Sequence, residues 1–185
     1  AEVGAGGGSI VRVDPGGSLR VGPQSAGAKP GPACYRQGGT DATVTDANVV
    51  LGYINPTSIA GGTVSVNSEA AKQALNSSAA EHLELETDDA AYGVYAVANT
   101  TMIRAIKSVT TYRGRDPREF TLMAFGGSGP LHAAEMARSL GIRQIIVPAS
   151  PGVFSALGLL EALPEYGFSR TMITDPMSEG ADKII

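Results

Sequence analysis

The stretch FTLMAFGGSGPLHAAE, Phe120 to Glu135, constrains the fold more than any other part of this 185-residue chain. A strand-forming run, Phe120 to Phe125, meets four turn residues, Gly126, Gly127, Ser128 and Gly129, and Pro130 then opens a segment of helical composition. Glycine lets a backbone approach a ligand closely, proline suits the first turn of a helix, and a helix N-terminus offers free N–H groups to anions. The junction reads either as a nucleotide site or as a tight strand-to-helix turn with nothing bound. The local residues leave both open.

Beyond the junction its rhythm repeats. Pro130 to Leu140 is expected as a helix ended by Gly141, Gln144 to Val147 as an apolar strand, and Val153 to Glu161 as a further helix after the turn residues Pro148, Pro151 and Gly152. Strand, helix, strand, helix implies parallel pairing through right-handed crossovers. Tyr166 to Thr174 reads as a possible strand, and the residues beyond Asp175 as disorder or a severed connection.

The chain opens differently. Ser9 to Val13 alternates like a half-buried strand, Asp14 to Gly17 is a turn, and Ser18 to Val21 is a second strand, so the glycines of GAGGGS precede a hairpin. A dinucleotide fingerprint needs its glycines between strand and helix, and its third glycine is here Ser9, which excludes a Rossmann reading. No Gly-Lys-Ser or Gly-Lys-Thr occurs, which excludes a P-loop. A glycine turn feeding a hairpin can still hold phosphate through successive backbone N–H groups, or the glycines can simply relieve crowding.

Between these ends, Gly22 to Gly39 has no period and reads as an ordered loop. Asp41 to Gly52 reads as a short helix capped by Thr45 or Asp46, with Asp46 and Asn48 alternatively able to reach a magnesium ion or a ligand. Asn67 to Leu83 has helical spacing. Thr87 opens a long helix whose stripe, Ala91, Val94, Tyr95, Ala98, Met102, Ile106 and Val109, is core, with small alanines suited to packing on a sheet. Cys34 reads as a packed small side chain or, alternatively, as a residue lining a site; the only histidines, His82 and His132, and the carboxylates give no metal-ligand spacing.

Composition bounds the function. With 43% hydrophobic and 17% charged residues and a net charge of −4, nothing favours nucleic acid or a membrane span. One cysteine allows no intramolecular disulfide, which fits a reducing cytoplasm. The first residues have neither an initiator methionine nor a signal core, so the chain reads as a piece of something larger.

Several long motifs carry a closer identification. GAGGGSIVRVD, GGSLRVGPQSAGAKPGPACY, TVTDANVVLG, RGRDPREFTLMAFGGSGPLHAAEMARSLGI and VPASPGVFSALGLL occur in order over Gly4 to Leu160. Together they resemble the A-type subunit of the hydantoinase and oxoprolinase family, whose members use ATP to open cyclic amides and imides or to carboxylate ketones, usually with a B-type partner.

The resemblance implies an α/β fold, a ribonuclease-H-like half of the actin, heat-shock ATPase and sugar-kinase superfamily with a mixed sheet. Residues 1–165 would be its second subdomain, with a helical insertion at about 22–86, and 166–185 a truncated connection. Gly6, Gly7, Gly8 and Ser9 would form a phosphate-binding turn, and Gly126, Gly127, Ser128 and Gly129 the adenosine-binding turn, for ATP with magnesium. The first phosphate turn of the superfamily, an Asp followed by Gly-Gly-Thr, is absent from these residues and would belong to a missing N-terminal half. His132 and Asp46 are the weak catalytic candidates, His132 to orient phosphate or to pack, Asp46 for a water-mediated metal contact.

Overall fold

A computed structural model describes residues 3–163 and 165–169. The N-terminal hairpin pairs β1 (Ser9–Val13) with β2 (Leu19–Ser25) antiparallel, Val11 opposite Val21 and Arg12 opposite Arg20. The turn is built as its residues dictate: the Asp14 carboxylate accepts from the amides of Gly16 and Ser18, and Gly17 takes φ +78°. The second strand runs past the expected Val21 to Ser25, with a register shift between Ser9 and Val11. Gly22, at φ +68°, faces the Gly4 carbonyl so closely that a Cβ there would collide with it.

The cap of helix α1 (Val44–Val50) lies two residues before Thr45 and three before Asp46, the caps expected from sequence. Thr43 is the cap, in extended backbone, and Asp46 closes a reciprocal capping box from the third helical position. The Asp46 carboxylate is fully buried and accepts from the Thr43 amide (2.8 Å), the Thr43 hydroxyl (2.7 Å) and the Cys34 amide (2.8 Å). It thereby ties the loop before α1 to the helix start.

A small hairpin comes next, β3 (Ser58–Ile59) with β4 (Val64–Ser65). Helix α2 (Ser68–Leu75), capped by Asn67 as its sequence signals, passes through a π-turn at Asn76–Ala80 into the short α3 (Glu81–Leu83). The long helix α4 (Thr87–Val109) buries Ala90, Ala91, Val94, Tyr95 and Ala98, the first half of the expected stripe, whereas Val109 is exposed. Its alanines admit close neighbours, but these are chiefly helices α1, α2 and α5 beside strand β2, where a sheet was expected.

The core joins all these pieces. Val11 and Val21 of the hairpin, Val44 and Ala47 of α1, Leu75 of α2 and Val94 of α4 form one buried cluster. Each fully buried valine or leucine contributes about 1.5–3 kcal/mol. The segment expected as an insertion, 22–86, thus supplies much of this core through Ala33, Val44, Leu75 and Ala80. Cys34 is buried in a neighbouring cluster with Val49, Val66 and Ala71.

Beyond α4 come β5 (Leu122–Met123), α5 (Gly129–Leu140), β6 (Ile145–Ile146) and α6 (Phe154–Glu161). The expected parallel pairing is present, with Leu122 opposite Ile145 and Met123 opposite Ile146. Both strands are shorter than their sequence runs, because among the described residues each pairs only with the other. Antiparallel and parallel pairing both occur, but in separate two-stranded sheets.

The chain divides into two compact units, Ala1–Ser155 and Ala156–Ile185. In the second, Tyr166 to Ser169 have no regular structure, and the rest of the strand expected to Thr174 and the tail beyond Asp175 lie outside the described residues. No described helix is long and apolar enough to cross a membrane.

Replacing Asp46 with alanine leaves three buried donors without their acceptor. The expected loss is about 2–4 kcal/mol, read as a lower urea midpoint; an unchanged midpoint would contradict the role given to this carboxylate.

Candidate functional site

The two glycine turns, far apart in sequence, line one cavity of about 1080 Å³. The hairpin and α1 position the first. The Gly7 carbonyl accepts from both the amide and the hydroxyl of Thr45, each at 2.9 Å, and the Gly8 carbonyl accepts from Ala26 at 2.8 Å. Thr45 stands so near that a Cβ on Gly7 would lie 2.8 Å from its Oγ1, so this glycine is required by close approach. Ser9 does not line the cavity. Its hydroxyl accepts from the Gly6 amide (2.9 Å) and donates to the Gly4 carbonyl (3.2 Å), shaping the turn from beneath.

The second turn leads into α5. Gly126 adopts φ +88° and donates to the Pro151 carbonyl at 2.8 Å, which redirects the chain after β5. Gly126, Gly127, Ser128 and Gly129 all line the cavity, as do Gly6, Gly7 and Gly8. A Cβ on Gly6, Gly127 or Gly129 would meet no atom within 4 Å, so these positions border open space. Among the described residues, the amides of Gly7, Gly8, Gly127 and Ser128 donate to no protein acceptor, and the Ser128 Oγ is buried without a partner. Residues with unpartnered amides from two turns, and the N-terminus of a 12-residue helix, thus border one space.

The remaining walls are apolar or neutral. Tyr35, Ile54, Ile59, Met102, Phe125 and Leu131 supply apolar surface, and Thr45, Asn55, Ser58 and Ser128 supply polar atoms. No lysine, arginine, aspartate, glutamate or histidine lines the cavity among the described residues. A lining of unpartnered amides and neutral walls, without an ionisable side chain among the described residues, can bind and orient a ligand but offers no group for proton transfer. Met102 belongs to the helical stripe that reads as core, and nothing in its spacing distinguishes it from the buried positions before it.

Neither weak catalytic candidate lies on the lining. Asp46 is buried with its oxygens committed to Thr43 and Cys34. His132 is fully buried, stacked on Tyr95 at 5.0 Å between ring centroids. Its Nδ1 lies 2.8 Å from the Asn99 Oδ1 and its Nε2 3.4 Å from the Asn48 Nδ2. Both contacts are satisfied by the neutral ring with its proton on Nδ1, which donates to Asn99 while Nε2 accepts from Asn48. His132 therefore braces α5 against α1 and α4, directly behind the second glycine turn. Cys34 also lies off the lining, its thiol pushed up by burial and by the neighbouring Asp46 charge, so it is no ready nucleophile.

Burial holds the His132 pKa below its ordinary 6.5. The unfolded chain therefore takes up a proton at this residue at higher pH than the folded chain does. The contribution is fully present above pH 6.5 and is lost as the pH falls from there through the depressed folded value. Unfolding free energy measured from about pH 7.5 to 5 is expected to fall more steeply in the native chain than in His132→Gln; equal slopes would contradict a buried neutral imidazole.

The hydantoinase/oxoprolinase family profile matches residues 1–166. An uncharacterized protein of Methanocaldococcus jannaschii is 49% identical over 95% of the chain and 25% of its own length. The acetophenone carboxylase gamma subunit of Aromatoleum aromaticum is 43% identical over 100% of the chain and 25% of its own. Among solved structures, the ATP-dependent caprolactamase of Pseudomonas jessenii superposes with a TM-score of 0.76 at 41% identity, covering 83% of this chain and 22% of that one. The chain spans about a quarter of the length of the curated relatives it matches. An α/β arrangement with this sequence, carrying these motifs in this order across nearly its whole length, belongs to the hydantoinase/oxoprolinase family.

Proposed function

We propose that the cavity between the two glycine turns is the nucleotide site of an ATP-dependent enzyme of which this chain forms one part, the second half of an actin-like ATPase core. The observation that carries the reading is the convergence of Gly6 to Gly8 and Gly126 to Gly129 on one space of nucleotide size. Free amides at Gly7 and Gly8 suit phosphate oxygens. The Gly126 to Gly129 turn, with Phe125, Tyr35 and Met102 beside it, suits the adenosine end. Ser9 acts indirectly, by holding the Gly6 amide.

ATP, when bound, supplies phosphoryl activation, which turns an amide oxygen or a carbonate into a better leaving group. The residues here bind and orient it, and they shield it behind apolar walls. They do not fit magnesium. Among the described residues no carboxylate lines the cavity, and the Asp46 oxygens are already committed. Metal ligands, the γ-phosphate contacts and the substrate base therefore fall to a complementary N-terminal half, with a B-type subunit as partner in a cytoplasmic complex.

The reaction we assign to the whole protein is ATP-dependent opening of a cyclic amide or imide, supported by the likeness to the caprolactamase. The likeness to the acetophenone carboxylase gamma subunit favours a second reading, ATP-dependent carboxylation of a ketone. ATP consumption by the whole protein separates them: stimulation by lactams and hydantoins supports the first, and stimulation by ketones only with bicarbonate supports the second.

Gly127→Val tests the site itself. Gly127 has ordinary backbone geometry and a Cβ would meet nothing within 4 Å, so the valine is expected to enter the cavity without disturbing the fold. An unchanged melting temperature with ADP affinity reduced at least tenfold, about 1.4 kcal/mol, is the expected result; native affinity would overturn the assignment.

A further inference from the structure

The β1–β2 hairpin and α4 border a second concavity of about 530 Å³, which shares no lining residue with the glycine cavity. Three guanidinium groups, Arg12, Arg20 and Arg104, line it. Arg12 and Arg20 are direct cross-strand partners. Like charges placed opposite one another on the same face of a two-stranded ribbon cost stability unless an anion answers them. Arg104 joins them from α4, beside Thr101 and Val97.

Among the described residues, a carboxylate answers only one of the three. The Asp14 Oδ2 accepts from the Arg20 Nε at 2.8 Å, while the Asp14 Oδ1 is occupied by the Gly16 and Ser18 amides. Asp14 is fixed in the turn by these bonds, and they hold its carboxyl below the usual carboxylate range. Among the described residues, no carboxylate lies within 4.0 Å of Arg12 or Arg104. Two positive charges stay unanswered in a chain of net charge −4. Leu19 and Val97, both half-buried, add apolar surface to the same groove.

We propose that this groove binds a small phosphate monoester, its dianion held by Arg12 and Arg104 and its organic body lying on Leu19 and Val97. Guanidinium forks pair with phosphate through two parallel hydrogen bonds. A dianion matches the two unanswered charges, where a monocarboxylate would match one. The site is separate from the nucleotide cavity, and its claim does not rest on the reading of that cavity.

Phenyl phosphate and benzoate, titrated into the full chain at constant ionic strength and followed by calorimetry and thermal melting, test this. Phenyl phosphate is expected to bind more tightly than benzoate and to bind Gly127→Val as well as the native chain. In the Arg12→Gln/Arg104→Gln variant its affinity is expected to fall at least about tenfold. Arg12→Gln alone, without ligand, is expected to melt no lower than the native chain, because it removes a like-charge pair. Undiminished binding to the double variant would overturn the proposal, as would loss of binding in Gly127→Val or a benzoate affinity equal to that of phenyl phosphate.

Discussion

Three donors converge on one buried carboxylate, Asp46, and the geometry of the glycine cavity depends on that convergence. Fixing Thr43 at the start of α1 sets the next turn of backbone, so that Thr45 presents both its amide and its hydroxyl to the Gly7 carbonyl. The edge of β1 is held by the same region, through the Ile10 bridge to Thr43 and the Val11 amide on the Ala42 carbonyl. A glycine-rich turn loses more conformational entropy on ordering than any other backbone. Here the order comes from a helix start that is itself pinned from inside the core. A buried charge is tolerable because hydrogen bonds replace its lost hydration.

The second turn is held by different means. His132 sits behind it in a neutral polar bridge between Asn48 of α1 and Asn99 of α4, with Tyr95 stacked on its face. Both glycine turns are therefore tied to α1, the first through Thr45 and the second through His132 and Asn48. The spacing between them is a property of packed helices, and loop conformation has little part in it. This arrangement also explains why the cavity walls need no charge. Backbone amides at fixed positions can hold an anion in place, and under the proposed function cations and metal ligands come from a complementary half.

Much of this was legible in the sequence where local chemistry decides structure. The helix from Pro130 to Leu140 with its Gly141 stop, the Asn67 cap and the hairpin turn at Asp14 all derive from residue types at fixed offsets. The family motifs named both glycine turns. Other features were set by contacts that no spacing encodes. The cap at Thr43 wins over Thr45 because Asp46 reaches back to it and also serves Cys34, a partner twelve positions away. Phe120 to Phe125 has strand composition along its length, yet only Leu122 and Met123 pair, since pairing depends on a neighbouring strand as well as on propensity. His132, close to the second glycine turn in sequence, points inward, where Asn99 and Asn48 take its two ring nitrogens. Met102 belongs to a helical stripe whose earlier members are buried, and only the fold places it on the cavity wall.

The central claim is that the two glycine turns act as one site. Amide chemical shifts followed by NMR while ADP is added to millimolar concentration test it most directly. Gly7, Gly8, Gly127 and Ser128 are expected to shift together along one saturation curve, while the amides of Arg118 and Glu119, which do not line the cavity, stay unmoved. Shifts confined to one turn, separate saturation of the two, or no shift in either would contradict it.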